Sequence, residues 1–466
     1  MPAPAALLPS SFRSRVSRMG RTLAPRSRRG SSRSAFALAA LDDDITQDVR
    51  RDLEEITQEV LSGAAPAGAR GWTIERVLAQ RAVAPLFQPI VELRSLRPVG
   101  VEALARGPAG SGMWHARELF AAAVAAGRLA ELDTLCAERA LEAARAAAVP
   151  LVFVNAEPAV VDQALSPRLL ELMTQGPPFR MVLEYTERAL SARPAALLQL
   201  AAAIQAHGHG LALDDVGADP MSLAFLPLLE PEVVKLDLQL LRAPHAPRTV
   251  EVVAAVSAVA EQSGAVIVAE GIETPEDLAN ARALGAHWGQ GLLFGGPAPI
   301  ELVEPGDAGA SAALRPSRPG LHLPGGTPFE AAAARGKARS GTPEAFAAHL
   351  EHLLRRAGSG AVVLASCTDA ATARSWLPSL QRLAGRAAFV GLVAPLDPAA
   401  VGPDVHFARS DVDDAAVEEC AAVVVAPRYT AALCGRGGHD TLGFAHTEDR
   451  ALVASMARII LQQLPR

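Results

Sequence analysis

The chain has 466 residues, of which 50% are hydrophobic and 4% aromatic, and its formal net charge is −6 at pH 7. This length accommodates two domains with linkers, built around mainly aliphatic cores. The modest negative charge argues against bulk nucleic-acid binding, so we expect no DNA partner. No run of about 18 apolar residues is free of charge or proline, so no transmembrane segment is predicted.

Four cysteines occur, and their spacing includes no CxxC pair. It suits neither a disulfide framework nor a zinc site. We therefore expect reduced thiols in a cytoplasmic protein. They are Cys136, Cys367, Cys420 and Cys434.

The first residues are strongly basic, with eight arginines and no acid in 1–35. No apolar segment followed by a small-residue cleavage site is present, which excludes a typical secretory signal. We predict a disordered tail over 1–40. The alternatives are an upstream start-codon artefact and a tail that touches anionic lipid or nucleic acid.

Residues 41–71 are predicted to form a helical lead-in and a flexible linker. Apolar residues recur at helical spacing, and acids stand at the amino end, where the helix dipole favours them. A short dimerising coiled coil is the alternative. The apolar positions are Ile45, Val49, Leu53, Ile56 and Val60.

From residue 72 to 300, eight short apolar runs alternate with Ala- and Leu-rich helical stretches. This pattern predicts strands joined by crossover helices, and eight such units favour a (β/α)8 barrel. An open, doubly wound sheet is the alternative, since periodicity does not show closure. The runs are 86–93, 100–104, 151–155, 181–184, 211–215, 233–237, 266–270 and 291–294.

Polar residues stand at or near the carboxyl ends of these runs, where barrel enzymes place their active sites. Seven of the ten are carboxylates, and so many acids at one rim predict divalent cations with oxygen ligands. Gln290 is an exception because it precedes its apolar run. The ten are Glu102, Asn155, Glu184, Asp214, Asp215, Lys235, Asp237, Glu270, Glu273 and Gln290.

Asp214 and Asp215 are adjacent, so both reach one site only if their strand has already ended. One of them could then bridge two metal ions. Lys235 would supply a positive charge beside the water or phosphate, and Arg106 could grip a phosphate. A strand-end acid is more often a helix cap, and Asp237 could instead be an ion-pair partner of Lys235.

Composition shifts to Gly, Pro, Ala and Arg over 301–341, which predicts a linker. Beyond it, 342–466 shows a second α/β pattern, enough chain for a small independent domain. Helices are predicted at 346–354, 372–383 and 448–464. Apolar strands are predicted at 361–365, 388–394, 421–426 and 442–446.

The stretch from Thr73 to Ile300 resembles an EAL domain, the cyclic-di-GMP phosphodiesterase family. The motifs occur in the family's order over about 230 residues. They are Phe87-Gln88-Pro89, Glu102-Ala103-Leu104-Ala105-Arg106, Asn155 with Pro158, Glu184-Tyr185-Thr186-Glu187, Asp214-Asp215, Lys235-Leu236-Asp237, Glu270-Gly271-Ile272-Glu273-Thr274 and Gln290-Gly291.

This resemblance implies a TIM-like barrel whose first strand is antiparallel, acting as a cyclic-di-GMP phosphodiesterase that releases linear pGpG. It implies two Mg2+ or Mn2+ ions bound by Glu102, Asn155, Glu184, Asp214 and Asp215. Glu270 would be a ligand or general base, helped by Lys235 and Gln290. Substrate contacts would come from Gln88, Leu104, Arg106 and Asp237, and loop support from Glu187 and Glu273. A homodimer is also expected.

The sequence departs from the family in the loop after Asp215, where Val216 replaces a Phe and Asp219 a Gly. That loop couples dimerisation to metal binding in the family, so its change bears on turnover and regulation. Leu292 also stands where a Tyr is common. The alternatives to an active enzyme are a cyclic-di-GMP receptor acting through a protein partner and a two-metal hydrolase of another phosphodiester.

The C-terminal region resembles the DICT sensory domain through its α/β order and its ending, Gly443 to Arg450. The resemblance implies control of the enzyme by a small-molecule signal or a signalling protein. The stretch Gly437-Gly438-His439-Asp440 is close to a cyclase signature, but His439 replaces an acid and too little chain follows.

Overall fold

The computed structural model describes residues 71–465 except for 158–164, 187–192, 218–219, 305, 307–308, 310–313, 359, 411–417, 427–428 and 438–441. The predicted basic tail, the helical lead-in up to residue 70, Pro158, Glu187, Asp219 and His439 lie outside the described residues. Among the residues described, no helix combines the length and the apolar character needed to cross a bilayer.

Eight strands close into a barrel in sequence order. The first strand pairs antiparallel with the second and the eighth, and every other neighbouring pair is parallel. The predicted barrel is therefore confirmed and the open sheet is wrong. The strands are β1 (Ala84–Glu92), β2 (Pro98–Arg106), β3 (Leu151–Asn155), β4 (Arg180–Thr186), β5 (Gly210–Val216), β6 (Val233–Leu236), β7 (Val266–Ala269) and β8 (Trp288–Gln290).

Helices surround this barrel, and several begin at the caps that the sequence offers. Thr274 and Asp277 form a capping box, and Ser166 accepts a hydrogen bond from the Leu169 amide. The helices are α1 (Ile74–Ala79), α2 (Ala116–Ala125), α3 (Leu129–Ala144), α4 (Pro167–Thr174), α5 (Pro194–Ala206), α6 (Pro220–Leu229), α7 (Leu238–Arg242), α8 (Pro247–Ser263) and α9 (Pro275–Ala283).

The eighth strand differs from its prediction. Residues 291–294 are not a strand, and the strand is instead Trp288–Gln290. Gln290 is therefore the last residue of a strand, as Asn155 is of β3, and the interpretation of Gln290 as an exception is wrong. The tryptophan belongs to the buried filling of the barrel, together with Ile90, Phe153 and Val268.

Part of the segment predicted as a linker packs against the barrel. Leu314 is buried in the cluster that fills the barrel interior. Arg315 lies 3.0 Å from the buried carboxylate of Glu232, and the buried imidazole of His322 lies 2.6 Å from the Leu229 carbonyl. These contacts hold this part of the chain against the amino-terminal end of the strands.

The C-terminal region forms a seven-stranded mixed sheet in the order β12-β11-β10-β13-β14-β15-β9. Its strands are β9 (Arg339–Gly341), β10 (Val362–Cys367), β11 (Phe389–Ala394), β12 (His406–Arg409), β13 (Glu419–Ala426), β14 (Tyr429–Arg436) and β15 (Leu442–Thr447). Its helices are α10 (Pro328–Ala334), α11 (Pro343–Arg356), α12 (Ala370–Ala384), α13 (Pro398–Val401) and α14 (Arg450–Leu461). A second, smaller domain is therefore confirmed.

The two sheets share a hydrophobic core. One face of the C-terminal sheet packs on α14, and α14 packs on α5 and α6 of the barrel. Phe225 of α6 meets Phe389 of β11 edge to face, with ring centroids 5.5 Å apart. The opposite face of the sheet is covered by α11 and α12. The C-terminal domain is thus seated on the helix that follows β5.

Candidate active site

Strand pairing brings the predicted site residues together at the carboxyl rim of the barrel. Gln88 and Glu102 are direct partners across β1 and β2. Asn155 and Glu184 are partners across the last positions shared by β3 and β4. Residues directly opposite each other on paired strands lie on the same face of the sheet, so this register directs them into a common space.

Lys235 lies at the centre of this space and is fully buried. Its ammonium Nζ lies 2.6 Å from Glu270 Oε1, 2.8 Å from Glu184 Oε1, and 3.4 Å from both Glu102 Oε2 and Asp214 Oδ1. One positive charge thus faces four carboxylates from four different strands or strand ends. The cluster carries an excess of negative charge.

Glu102 is held by three neighbours. Asn155 Nδ2 donates to Oε1 at 2.7 Å, and Gln290 Nε2 donates to Oε2 at 2.7 Å. Lys235 donates to the same Oε2 at 3.4 Å. Gln290 Nε2 also lies 3.1 Å from Gln88 Oε1, so β1, β2, β3, β6 and β8 are linked through this one carboxylate.

Burial and charge act in opposite directions on these groups. Burial raises the pKa of Glu102, but Lys235 and the amide donors of Asn155 and Gln290 outweigh it and leave the pKa lowered. For Glu184 burial prevails over Lys235, and its pKa lies well above the ordinary value. Burial likewise raises the pKa of Glu270 to about 8. Burial lowers the pKa of Lys235, yet its four acid neighbours raise it well above normal.

Asp214 and Asp215 reach the site by a route that the sequence did not predict. Strand β5 does not end before them; it continues to Val216, so the proposed reason was wrong. Pairing between β5 and β6 is irregular between Leu213 and Val216, and Asp215 has a left-handed φ of +57°. This irregularity breaks the usual alternation of side chains.

A group of acid oxygens lies at this irregularity. One ligand oxygen each from Asp214, Asp215 and Glu270 lies within 4.8 Å of the others. Glu184 is fully buried, and among the described residues its Oε2 accepts no hydrogen bond while Lys235 faces its Oε1; Gln290 Oε1 is likewise buried without a donor. Buried oxygens that lack donors suit a hard divalent cation. The donor set therefore fits Mg2+ or Mn2+.

The substrate-contact candidates lie around this rim. Leu104 is a half-buried residue of β2, and Arg106 ends that strand with Nη1 2.9 Å from the Ala105 carbonyl. A cleft of about 360 Å3 opens between β2 and helices α2 and α3. Glu102, Leu104, Asn155 and Phe120 are among the residues that line it. Glu102 of the acid cluster and its hydrogen-bond partner Asn155 thus line a largely apolar cleft.

Asp237 caps a helix and does not form the ion pair with Lys235 that was considered as the alternative. Its Oδ1 accepts a hydrogen bond from the Gln239 amide at 2.6 Å, which makes it the N-cap of α7. The alternative pairing with Lys235 is not formed, because the lysine is enclosed by the four other acids. Asp237 still borders the rim, two residues after Lys235.

Arg248, which the sequence analysis did not identify, holds the loop that follows β5. Arg248, near the start of α8, donates through Nη2 to the Gly217 carbonyl at 2.9 Å. Glu273, the predicted loop support, lies 3.5 Å from Arg242 of α7. Gly217 has φ +114°, and a Cβ there would meet Leu240 at 2.8 Å, so glycine is required. No motif marked Arg248, since an arginine in a helical stretch is ordinary.

Residues 73–297 match the EAL domain family. This part of the chain is an EAL domain. The probable cyclic di-GMP phosphodiesterase PdeB of Escherichia coli is 30% identical to the chain over 240 residues, which are 49% of this chain and 45% of PdeB. Cyclic di-GMP phosphodiesterase RocR of Pseudomonas aeruginosa is 33% identical over 141 residues, covering 30% of this chain and 36% of RocR.

A solved structure of Klebsiella pneumoniae BlrP1, a manganese and cy-diGMP complex at pH 9.0, is similar to the EAL domain. It shares 26% identity at a TM-score of 0.41 and covers 47% of this chain and 56% of that one. The chain spans less than half the length of the two curated relatives, PdeB and RocR.

Proposed function

We propose that this protein hydrolyses cyclic di-GMP to linear pGpG in the bacterial cytoplasm. The observation that carries the proposal is the convergence of Glu102, Glu184, Asp214 and Glu270 on the buried Lys235 at the rim of an EAL domain. So dense an acid cluster with one cation is poorly suited to bind a bare phosphodiester, which is itself negative. With divalent cations it becomes a site for phosphoryl chemistry.

Two Mg2+ or Mn2+ ions would be held by Glu102, Asn155, Glu184, Asp214 and Asp215, with Glu270 beside them. Such ions supply Lewis-acid polarisation of a phosphodiester and a water nucleophile at neutral pH. The acid oxygens within 4.8 Å of one another support this assignment, as does the buried Glu184 Oε2, which accepts no hydrogen bond from the described residues.

The chain's own side chains then have separate tasks. Glu270 is 21% exposed while Lys235 is fully buried, so Glu270 faces the mouth and is suited to accept the proton of the attacking water. Lys235 holds the carboxylates in position and places a positive charge near the phosphoryl oxygens. Water attacks the phosphorus, the bond to the ribose 3′ oxygen breaks, and that oxygen leaves with a proton, giving a linear dinucleotide.

Substrate binding is assigned to Gln88, Leu104, Arg106 and Asp237. Arg106 offers a guanidinium for a phosphate, and Gln88 joins the amide chain to Gln290. The apolar cleft beside Glu102 has space for a flat base at about 360 Å3. A base that entered this cleft would bring the attached phosphate towards the acid cluster.

We further propose that the C-terminal domain is a DICT-like sensory module that controls this site, and that the protein acts as a homodimer. Helix α6 begins five residues after Asp215, and its far end lies against α14 of that domain. A shift of α14 would therefore move the helix that is joined directly to the acid-bearing strand.

Turnover of cyclic di-GMP by the full chain tests the assignment of the site. Glu102→Ala removes the carboxylate that links five strands, and we expect at least a hundredfold loss of pGpG release. Glu276→Ala, an exposed acid on α9, is the matched control and should leave turnover unchanged. Binding of cyclic di-GMP without turnover in the unaltered protein would indicate a receptor, and release from other cyclic dinucleotides at equal rates a broader hydrolase.

A further inference from the structure

A second cleft lies between the EAL domain and the C-terminal domain, away from the acid cluster. Helices α6 and α8 form one side, through Leu223 and Val259 among others. The end of β13 and the first turns of α14 form the other side, through Val425 and Ala454. Its volume is about 180 Å3.

The walls of this cleft are mainly aliphatic, which sets the kind of molecule that it can hold. An apolar cavity of roughly 150 Å3 in a protein accommodates one benzene molecule. A ligand of one ring or one short branched chain therefore matches the space. Alanines contribute much of the lining, Ala258 from α8 among them, so the cleft owes its space to short side chains.

Charged groups at the cleft favour an anion. Glu230 is already engaged, by Arg318 at 2.9 Å and by Arg458 at 2.9 Å. Arg450 also lines the cleft at the first position of α14, and its exposed guanidinium makes no hydrogen bond or ion pair to the residues that the structure describes. Within the described part of the chain the mouth therefore offers an unpaired guanidinium, and a carboxylate is its best geometric partner.

We propose that this interdomain cleft binds a small aromatic or branched aliphatic carboxylate, with the apolar end between α8 and α14 and the carboxylate on Arg450. The binding site does not depend on the proposed phosphodiesterase activity. A regulatory role for the ligand does depend on that activity. The ligand would touch both α6, which follows Asp215, and the C-terminal domain that packs on α6. Occupancy would then favour one arrangement of the two domains.

Titration calorimetry of the full chain with sodium benzoate and sodium isovalerate tests the site without any turnover step. We expect saturable binding of at least one of them, with one molecule per chain. Benzyl alcohol, which lacks the negative charge of benzoate, should bind the cleft at least tenfold more weakly than benzoate does. Arg450→Gln should weaken carboxylate binding about tenfold, a difference of about 1.4 kcal/mol. Arg374→Gln, an exposed arginine of α12, is the control and should have no effect.

Ala258→Phe fills the cleft and should abolish binding. Arg450 is exposed, so its replacement endangers the fold little and keeps the test valid if Ala258→Phe fails to fold. The proposal is overturned if neither carboxylate binds saturably, if benzyl alcohol binds as well as benzoate, or if Arg450→Gln has no effect. Since calorimetry needs no pGpG release, an inactive protein that binds benzoate would refute only the proposed function.

Discussion

At the scale of single residues, Lys235 defines the site. A buried ammonium is stable only if opposite charges compensate its lost hydration, and four carboxylates within 3.4 Å do so here. The carboxylates depend on the lysine in turn, because without it their negative charges would be buried with no positive charge beside them. Lys235 is therefore both a structural and a chemical requirement of the acid cluster.

Lys235→Met should destabilise the protein by about 3–5 kcal/mol in the presence of a chelator, because it leaves buried acids without their cation. Adding Mg2+ or Mn2+ should restore part of this loss, since bound ions compensate the same charges. Denaturant unfolding with and without metal measures both effects. Lys337→Met, at the chain's other lysine, which is exposed, should change neither. A variant that stays fully stable under chelation would contradict this view of Lys235.

The buried imidazole of His322 should make the stability of the protein depend on pH. Burial lowers its pKa to about 4, against 6.5 for a free imidazole. Above pH 6.5 the imidazole is neutral in both states; below it only the unfolded chain takes up the proton. The folded protein should thus lose up to about 3 kcal/mol of stability as the pH falls from 6.5 to about 4.

His322→Gln keeps a donor for the Leu229 carbonyl but cannot titrate, so it should flatten this part of the stability curve. Urea unfolding at several pH values measures the slope. His245→Gln, an exposed site, serves as the control. Identical slopes for His322→Gln and the unaltered protein would show that His322 does not carry the effect.

At the scale of elements, the irregular end of β5 decides where the acids lie. Regular alternation would send Asp214 and Asp215 to opposite faces. The left-handed backbone at Asp215 and the interrupted pairing with β6 avoid this. Asp and Asn tolerate that conformation better than other residues with a Cβ. The aspartate at 215 thus has two roles, because it tolerates the left-handed backbone and supplies a carboxylate to the site.

Two substitutions separate these roles. Asp215→Asn keeps the backbone preference and removes the charge, so it should abolish most turnover but leave stability within about 0.5 kcal/mol. Asp215→Val also places a branched side chain at a positive φ and should cost about 1–2 kcal/mol more. Urea unfolding under chelation, together with pGpG release, measures the pair. Equal stability of the two variants would mean that the backbone at Asp215 is not strained by valine.

The strands and helices also show which features of the fold and the site were predictable from the sequence. The alternation of apolar runs and helices was enough for the barrel. Acids at the ends of the runs indicated the cluster around Lys235, but Asp237 instead caps α7 and Glu273 lies beside Arg242.

The eighth strand was misplaced because Gly291 to Phe294 is the more apolar stretch, whereas Trp288 is the residue buried in the barrel. Strand β14 was missed because its alanines and Cys434 resemble a helix or a loop as easily as a strand. The contact of Arg248 with Gly217 is tertiary, and no local pattern encodes it.

At the scale of the whole molecule, the C-terminal domain is joined to the EAL domain through α6 and α14. Arg458 of α14 is 2% exposed and donates to the carbonyls of Leu228 at 2.7 Å and Pro227 at 3.2 Å. These carbonyls belong to the last turn of α6, where no following helical amide donates to them. One domain therefore completes the end of a helix in the other.

Arg458→Met removes this contact and leaves Glu230 with one buried partner fewer. We expect a loss of about 3–5 kcal/mol in the free energy of unfolding, and a changed turnover rate if the domain controls the site through α6. Arg355→Met, from an exposed pair with Glu351, should stay within about 0.5 kcal/mol. Unchanged stability and turnover in Arg458→Met would remove α6 as the route of control.

We propose that the acid cluster of this EAL domain performs metal-dependent hydrolysis of cyclic di-GMP. The most direct measurement is a time course of pGpG release by the full chain, with Mg2+ or Mn2+ and again after chelation. We predict steady release with either ion, and its loss after chelation. Binding of cyclic di-GMP without release under both conditions, or release that persists without metal, would contradict the claim.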